Sequence, residues 1–139
     1  MRRFGVRPAW SGAYAVFSPH ADMPWLRVLR PGFRHCFVLL ADGNRVVSIE
    51  PLASRIEIAS IDAPLGVGPL LDSLEADGMR VVPARLTYTD AGWRFGVFTC
   101  VEVVKRVLGI RAPLALTPYR LYRHLESKRR SGGNGKPSV

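Results

Sequence analysis

A tight-turn signal between two strand-length runs is the sequence feature that most constrains the fold. His35–Leu40 is an almost continuous apolar run, and Arg45–Glu50 is a second run of similar length. Asp42 and Gly43 lie between them, and such residues tolerate the positive φ angles that hairpin turns require. The sequence therefore predicts an antiparallel β-hairpin.

Strand and helix patterns both occur in the rest of the chain. Further strands are predicted at Ala13–Phe17, Arg55–Ala59, Met79–Tyr88 and Trp93–Phe98, with Pro83 indicating an edge strand or a bulge. Helices are predicted at Pro69–Asp77, Cys100–Leu108 and Pro118–Leu125, with Gly78, Gly109 and Thr117 as boundary residues. This mixture predicts an α+β protein.

The length of 139 residues is that of one domain. We assign that domain to residues 1–130, with residues 1–30 as an irregular lead-in and residues 131–139 as a flexible basic tail. The basic N-terminus is not followed by the apolar segment of a secretory signal, and no apolar run approaches the ~20 residues of a membrane helix. We therefore expect a soluble protein of the cytoplasm.

Positive charge dominates the composition. Twenty Lys and Arg against eleven Asp and Glu give a net charge of +9, which would attract nucleic acid or anionic lipid. Apart from a terminal group that includes Lys128, Arg129 and Arg130, the cations are scattered rather than interleaved with aromatic residues. This distribution favours a solvated basic surface over a dedicated nucleic-acid site.

Cys100 is the strongest candidate for a reactive side chain. It stands at the start of its predicted helix, where unpaired backbone N–H groups and the positive helix end stabilise a thiolate. The same N–H groups can hold the oxyanion that forms when a carbonyl is attacked. A buried cysteine on an apolar helix stripe is also typical of simple packing, so the position alone does not establish catalysis.

His35 is the candidate partner of Cys100. It begins a strongly apolar strand, where an imidazole has no packing advantage, and a nearby imidazole is the usual means of activating a cysteine. The alternative is a half-buried histidine satisfied at a strand end. Cys36 is next to His35, but adjacent strand residues point to opposite faces, so we assign Cys36 to the core. The two cysteines allow at most one disulfide, and a cytosolic chain would keep both as thiols.

The segments Phe33–Leu40 and Phe98–Ile110, the second continued by Thr117–Tyr122, carry a family resemblance. A strand-borne His, a hairpin and then a Cys that begins an amphipathic helix resemble the circularly permuted NlpC/P60-like branch of the papain-like cysteine hydrolases. The resemblance covers about two thirds of the chain. It implies a small antiparallel sheet packed on the Cys100 helix, with His35 and Cys100 together. It also implies cleavage or transfer of acyl groups through a thioester, on substrates that range from the peptidoglycan peptides of cell walls to lipid and protein amides, without a metal or organic cofactor.

The third catalytic residue of such a site orients the imidazole. The family geometry implies Glu50 or Ser48 on the strand after His35. A two-residue turn would put Glu50 on the face of His35, whereas a three-residue loop would send it to the other face. The apolar pattern favours the three-residue loop, so a backbone carbonyl or a Cys–His pair without a third residue is retained beside Glu50.

The sequence thus predicts a thiol hydrolase or acyltransferase with Cys100 as nucleophile, His35 as base and Glu50 as the orienting group. The alternative is a non-catalytic basic module, such as a phage-particle or nucleic-acid-associated component that retains the fold without the chemistry.

Overall fold

The computed structural model of the protein describes residues 10–20, 33–52, 55–86 and 99–132. These residues form an α+β fold, as predicted. Its elements are β1 (Gly12–Ser18), β2 (His35–Asp42), β3 (Arg45–Pro51), β4 (Ile56–Asp62), α1 (Gly68–Ala76), β5 (Arg80–Ala84), α2 (Cys100–Leu108) and α3 (Pro118–Gly132). The predicted strand Trp93–Phe98 lies outside the described residues.

The five strands form one sheet in the order β4-β3-β2-β1-β5, and every neighbouring pair is antiparallel. The central strand β2 is buried at every residue except Asp42, because helices cover both faces of the sheet. This double burial accounts for its continuous apolar run. β5 is an edge strand that ends at Ala84, and an edge tolerates the missing N–H of Pro83.

β1 corrects part of the assignment of residues 1–30 to an irregular lead-in. Its residues Gly12–Ser18 pair with β2 on one side and with β5 on the other. The strand therefore lies inside the sheet, and its alternate residues Ala15 and Phe17 are fully buried. Residues 1–9 and 21–32 lie outside the described part of the chain.

The two faces of the sheet bury separate apolar clusters. On one face, Cys36, Val38 and Leu40 of β2 pack with residues of α2 and α3. On the opposite face, Phe37 and Leu39 pack with residues of and around α1. Since successive strand residues alternate between faces, Cys36 points toward α2 whereas His35 shares the face of Phe37.

The turn between β2 and β3 differs by one residue from the predicted one. Asp42 pairs with Arg45, so the two turn residues are Gly43 and Asn44, and Gly43 takes a φ of 58°. A glycine with positive φ at the first of two turn positions matches the twist of a hairpin. The three-residue loop that the apolar pattern favoured is therefore wrong, and Ile49 lies opposite Val38 rather than beside Phe37.

α2 is held at both ends by local hydrogen bonds. Thr99 is the N-cap, and its Oγ1 accepts a hydrogen bond of 3.3 Å from the Glu102 N–H. Gly109 ends the helix as predicted, with a left-handed φ of 68°. The first residue of this capped helix is Cys100, so the cap fixes the position of the thiol.

We expect Thr99→Ala to lower the free energy of unfolding by about 1 kcal/mol, because the Glu102 N–H loses its acceptor. Thr99→Ser keeps an oxygen at the same position and should retain most of the stability. Urea unfolding followed by circular dichroism measures both variants. A Thr99→Ala protein as stable as Thr99→Ser would contradict a capping role for the hydroxyl.

α3 begins at Pro118 with Thr117 accepting a hydrogen bond from the Arg120 N–H, as predicted. It runs to Gly132 rather than ending at Leu125, so Ser131 and Gly132 belong to the helix and not to the predicted tail. Basic residues in the last turn favour this extension because they interact with the negative helix end. No helix in the described part of the chain is long and apolar enough to cross a membrane.

Candidate active site

Cys100 occupies the first position of α2 and packs, half-buried, against the cluster between α2 and the sheet. The first backbone hydrogen bond of the helix runs from the Val103 N–H to the Thr99 carbonyl, at 3.2 Å. The N–H groups of Cys100 and Val101 precede that bond, so they lie at the positive end of the helix beside the thiol.

His35 occupies the first position of β2 and is 7% exposed. The imidazole makes a side-chain hydrogen bond with Cys100. The two residues meet although His35 shares the face of Phe37, because each stands at the first position of its element and α2 packs on β2. The imidazole lies next to the Phe37 ring, with 6.3 Å between the ring centroids.

Glu50 approaches the imidazole from the neighbouring strand. Its Oε1 lies 3.3 Å from Nε2 of His35, and the side chain of Glu50 is 38% exposed. At this distance the two side chains form an ion pair when the imidazole is protonated. Ile49 lies opposite Val38, so its neighbour Glu50 points to the other face, which is the face of His35. Ser48 shares that face but lies further along the strand, opposite Leu39.

Cys36 was missed as a member of this group. It is fully buried, as the assignment to the core requires, but its thiol also makes a hydrogen bond with the Cys100 side chain. The backbone of Cys36 makes a second hydrogen bond with the same sulfur. The expectation that strand alternation keeps Cys36 out of a site containing His35 is therefore wrong, because both residues contact the Cys100 side chain.

The pKa of the Cys100 thiol is lowered to about 5. The hydrogen bond from the Cys36 side chain is the largest cause, and burial of Cys100 acts in the opposite direction. A hydrogen bond with His35, the positive charge of that imidazole and the backbone hydrogen bond from Cys36 lower the pKa further. Cys100 is therefore a thiolate at neutral pH.

The pKa of the Cys36 thiol is raised well above its ordinary value. Burial is the largest cause, followed by the hydrogen bond to Cys100 and by repulsion from the charge on Cys100. In the hydrogen bond between the two sulfurs, Cys36 therefore holds the proton and donates it, and the Cys100 thiolate accepts. The site therefore contains one ionised sulfur and one neutral thiol at neutral pH.

Comparison with protein-family models, with curated proteins and with solved structures finds no match to this chain. Within the described ranges, no three His, Cys, Asp or Glu side chains are grouped in a way that could hold a metal ion.

Proposed function

We propose that the protein is a thiol hydrolase or acyltransferase that attacks an amide or ester carbonyl through Cys100. The observation that carries this proposal is the contact of Cys100 with His35, in which the thiol pKa is lowered to about 5. A lowered thiol pKa together with an adjacent imidazole and a helix N-terminus is typical of catalytic cysteines.

In the first step, the Cys100 sulfur forms a bond to the carbonyl carbon, and the carbonyl π electrons move to the oxygen. The N–H groups at the start of α2 lie beside the sulfur and would donate hydrogen bonds to that oxyanion. The His35 imidazolium then gives its proton to the departing amine or alcohol. The bond to the leaving group breaks, and a thioester on Cys100 remains.

In the second step, neutral His35 accepts a proton from water, which attacks the thioester carbonyl and releases a carboxylic acid. The Cys100 thiolate and the imidazolium are restored. If an amine or alcohol replaces water, the same step transfers the acyl group. Hydrolase and transferase activities therefore need the same two side chains.

In the proposed catalytic cycle, Glu50 stabilises the positive charge of His35. Its carboxylate lies 3.3 Å from Nε2, whereas the thiolate of Cys100 interacts with the same ring. A ring held between two anionic groups retains its proton until the leaving group needs it. The side chain of Glu50 is partly exposed, so we expect its contribution to be smaller than that of His35.

The proposal includes the architecture that the family resemblance implies. His35 precedes Cys100 in the chain, and β2 of an antiparallel sheet packs against the helix that Cys100 begins. This order of elements supports a circularly permuted papain-like hydrolase. Substrates of the proposed class are peptides or other acyl amides and esters.

Selective alkylation tests the proposed nucleophile. We expect iodoacetamide at pH 6 to label Cys100 at least about a hundredfold faster than Cys36, because only Cys100 is ionised at that pH. The rate should fall about tenfold per pH unit below a midpoint near 5 and level off above it. Peptide mass spectrometry over a time course measures the two rates separately.

His35→Ala should move the alkylation midpoint of Cys100 toward higher pH, since the imidazole charge and its hydrogen bond are lost. His20→Ala is the matched control, because His20 is exposed and outside the site. Equal labelling of the two cysteines in the unmodified protein, or a midpoint that His35→Ala leaves in place, would contradict the proposal.

A further inference from the structure

The two thiols of the chain are both free and touch each other. Cys36 is held on β2 with no exposed surface, and Cys100 is half-buried at the start of α2. Hydrolysis at Cys100 uses only one of these sulfurs as a nucleophile. The second sulfur has no bond-forming role in that chemistry, although it lies in direct contact with the first.

We propose that Cys100 and Cys36 form a peroxide-sensitive dithiol, in which oxidation of Cys100 is resolved by Cys36 as an intramolecular disulfide. Cys36 belongs to the apolar cluster between the sheet and α2, and Cys100 packs against the same cluster with its side chain hydrogen-bonded to Cys36, so the resolving thiol lies beside the sulfur that peroxide attacks. A disulfide requires the two sulfurs to approach to about 2 Å.

The exposure of the two residues fixes the order of events. Peroxide reaches the half-buried Cys100, which is also the ionised and therefore reactive sulfur. Cys36 is fully buried and stays protonated, so it does not react with peroxide itself. Its burial also shields it from the thiols of other molecules, which favours a bond within the chain over a bond between chains.

The reaction balances with hydrogen peroxide as the two-electron oxidant. The Cys100 thiolate attacks one peroxide oxygen, the O–O bond breaks, and a sulfenic acid and hydroxide form. The Cys36 sulfur then attacks the Cys100 sulfur, the S–O bond breaks, and the departing hydroxide takes the Cys36 proton as water. The His35 imidazolium supplies the remaining proton, so one peroxide becomes two waters while two thiols become one disulfide.

This disulfide would switch off the site that the proposed function requires, because the nucleophilic sulfur is consumed, and reduction would restore it. It would also prevent the further oxidation of Cys100 to a sulfinic acid, which ordinary thiols do not reverse. The disulfide itself depends only on the contact and reactivity of the two sulfurs, so it can be tested without a substrate.

Intact-mass spectrometry of the full chain provides the test. The reduced protein at low micromolar concentration is treated with a few equivalents of hydrogen peroxide. We expect a loss of about 2 Da, reversed by dithiothreitol, and a cross-linked peptide pair that contains Cys36 and Cys100. Cys36→Ser should instead gain about 16 Da that dimedone traps, and then about 32 Da that dithiothreitol does not reverse.

Cys100→Ser serves as the matched control, because it keeps the fully buried thiol and removes the half-buried one that peroxide reaches. We expect its mass to stay unchanged at the same peroxide dose. The inference is overturned if the unmodified protein gains about 32 Da without first losing 2 Da, or if it forms disulfide dimers on a non-reducing gel. Each of these outcomes leaves the alkylation test of the proposed function unaffected, so the two failures are distinguishable.

Discussion

Cys100→Ala is expected to abolish the acyl-enzyme burst with p-nitrophenyl acetate and to lower the steady-state rate of ester hydrolysis by at least about a thousandfold. The proposed mechanism forms its only covalent bond to substrate through the Cys100 sulfur, so alanine leaves no nucleophile. Stopped-flow absorbance of released nitrophenolate measures the burst and the later turnover in one trace. A burst equal to that of the unmodified protein would show that another group is acylated.

The variants His35→Ala and Glu50→Gln are expected to lower the rates of the same ester assay to different extents. Loss of the imidazole removes the base that activates water in the second step, so steady-state turnover should fall by about a hundredfold to ten-thousandfold, the usual range for a general acid or base. Glu50→Gln removes a partly exposed charge at 3.3 Å from Nε2, so about a tenfold reduction is expected. His20→Ala should change nothing, because His20 is exposed and outside the site.

A nucleophile role for Cys100 would also give acylation the pH dependence of its thiol. Because the pKa is lowered to about 5, the reactive thiolate is present above that pH and is lost as the pH falls through it. The acylation rate should therefore be nearly constant from pH 6 to 8, and should decline about tenfold per unit below pH 5. A rate that rises steadily up to pH 9 would indicate an ordinary thiol.

The elements of the fold could be predicted from local patterns. The cap of α3 and the glycine that ends α2 each follow from a few adjacent residues and are present, whereas the turn between β2 and β3 is displaced by one residue. The register favoured by the apolar pattern was wrong because β2 is buried on both faces. Its apolar residues therefore do not indicate to which face of the sheet Glu50 points. Only the actual turn residues, Gly43 and Asn44, decide that question.

The pairing of His35 with Cys100 was predicted from chemistry and order, whereas the contact of Cys36 with Cys100 was not. The second contact depends on which face of β2 the helix α2 covers, and that choice is made by packing between distant segments.

The length of α3 was underestimated for a different reason. Its polar last turns lack an apolar stripe, and they are supported by contacts such as the 3.6 Å pair of Glu126 and Arg129.

Lys105 is another feature that the helix pattern did not predict. The side chain is 4% exposed, contacts the Glu102 carboxylate one turn earlier, and donates a hydrogen bond of 3.1 Å to the Ala112 carbonyl. Helix periodicity assigns charged residues to the solvent side, but here the segment after α2 folds back over the lysine. The buried amine thus ties α2 to the chain that leads into α3.

We expect Lys105→Met to lower the free energy of unfolding by about 3 kcal/mol, although methionine preserves most of the side-chain volume. The substitution leaves a largely buried carboxylate on Glu102 without its cation and the Ala112 carbonyl without its donor. Urea unfolding curves with a common slope measure the loss.

Two further variants separate the buried ion pair from the rest of this effect. Glu102→Gln combined with Lys105→Met removes both charges, so it should be more stable than Lys105→Met alone by at least about 1 kcal/mol. Arg129→Met breaks the pair with Glu126, which has the same spacing but an exposed cation, and should cost no more than about 0.5 kcal/mol. Similar losses for Lys105→Met and Arg129→Met would mean that burial adds nothing to the Lys105 pair, and that α2 is held in place by its apolar face alone.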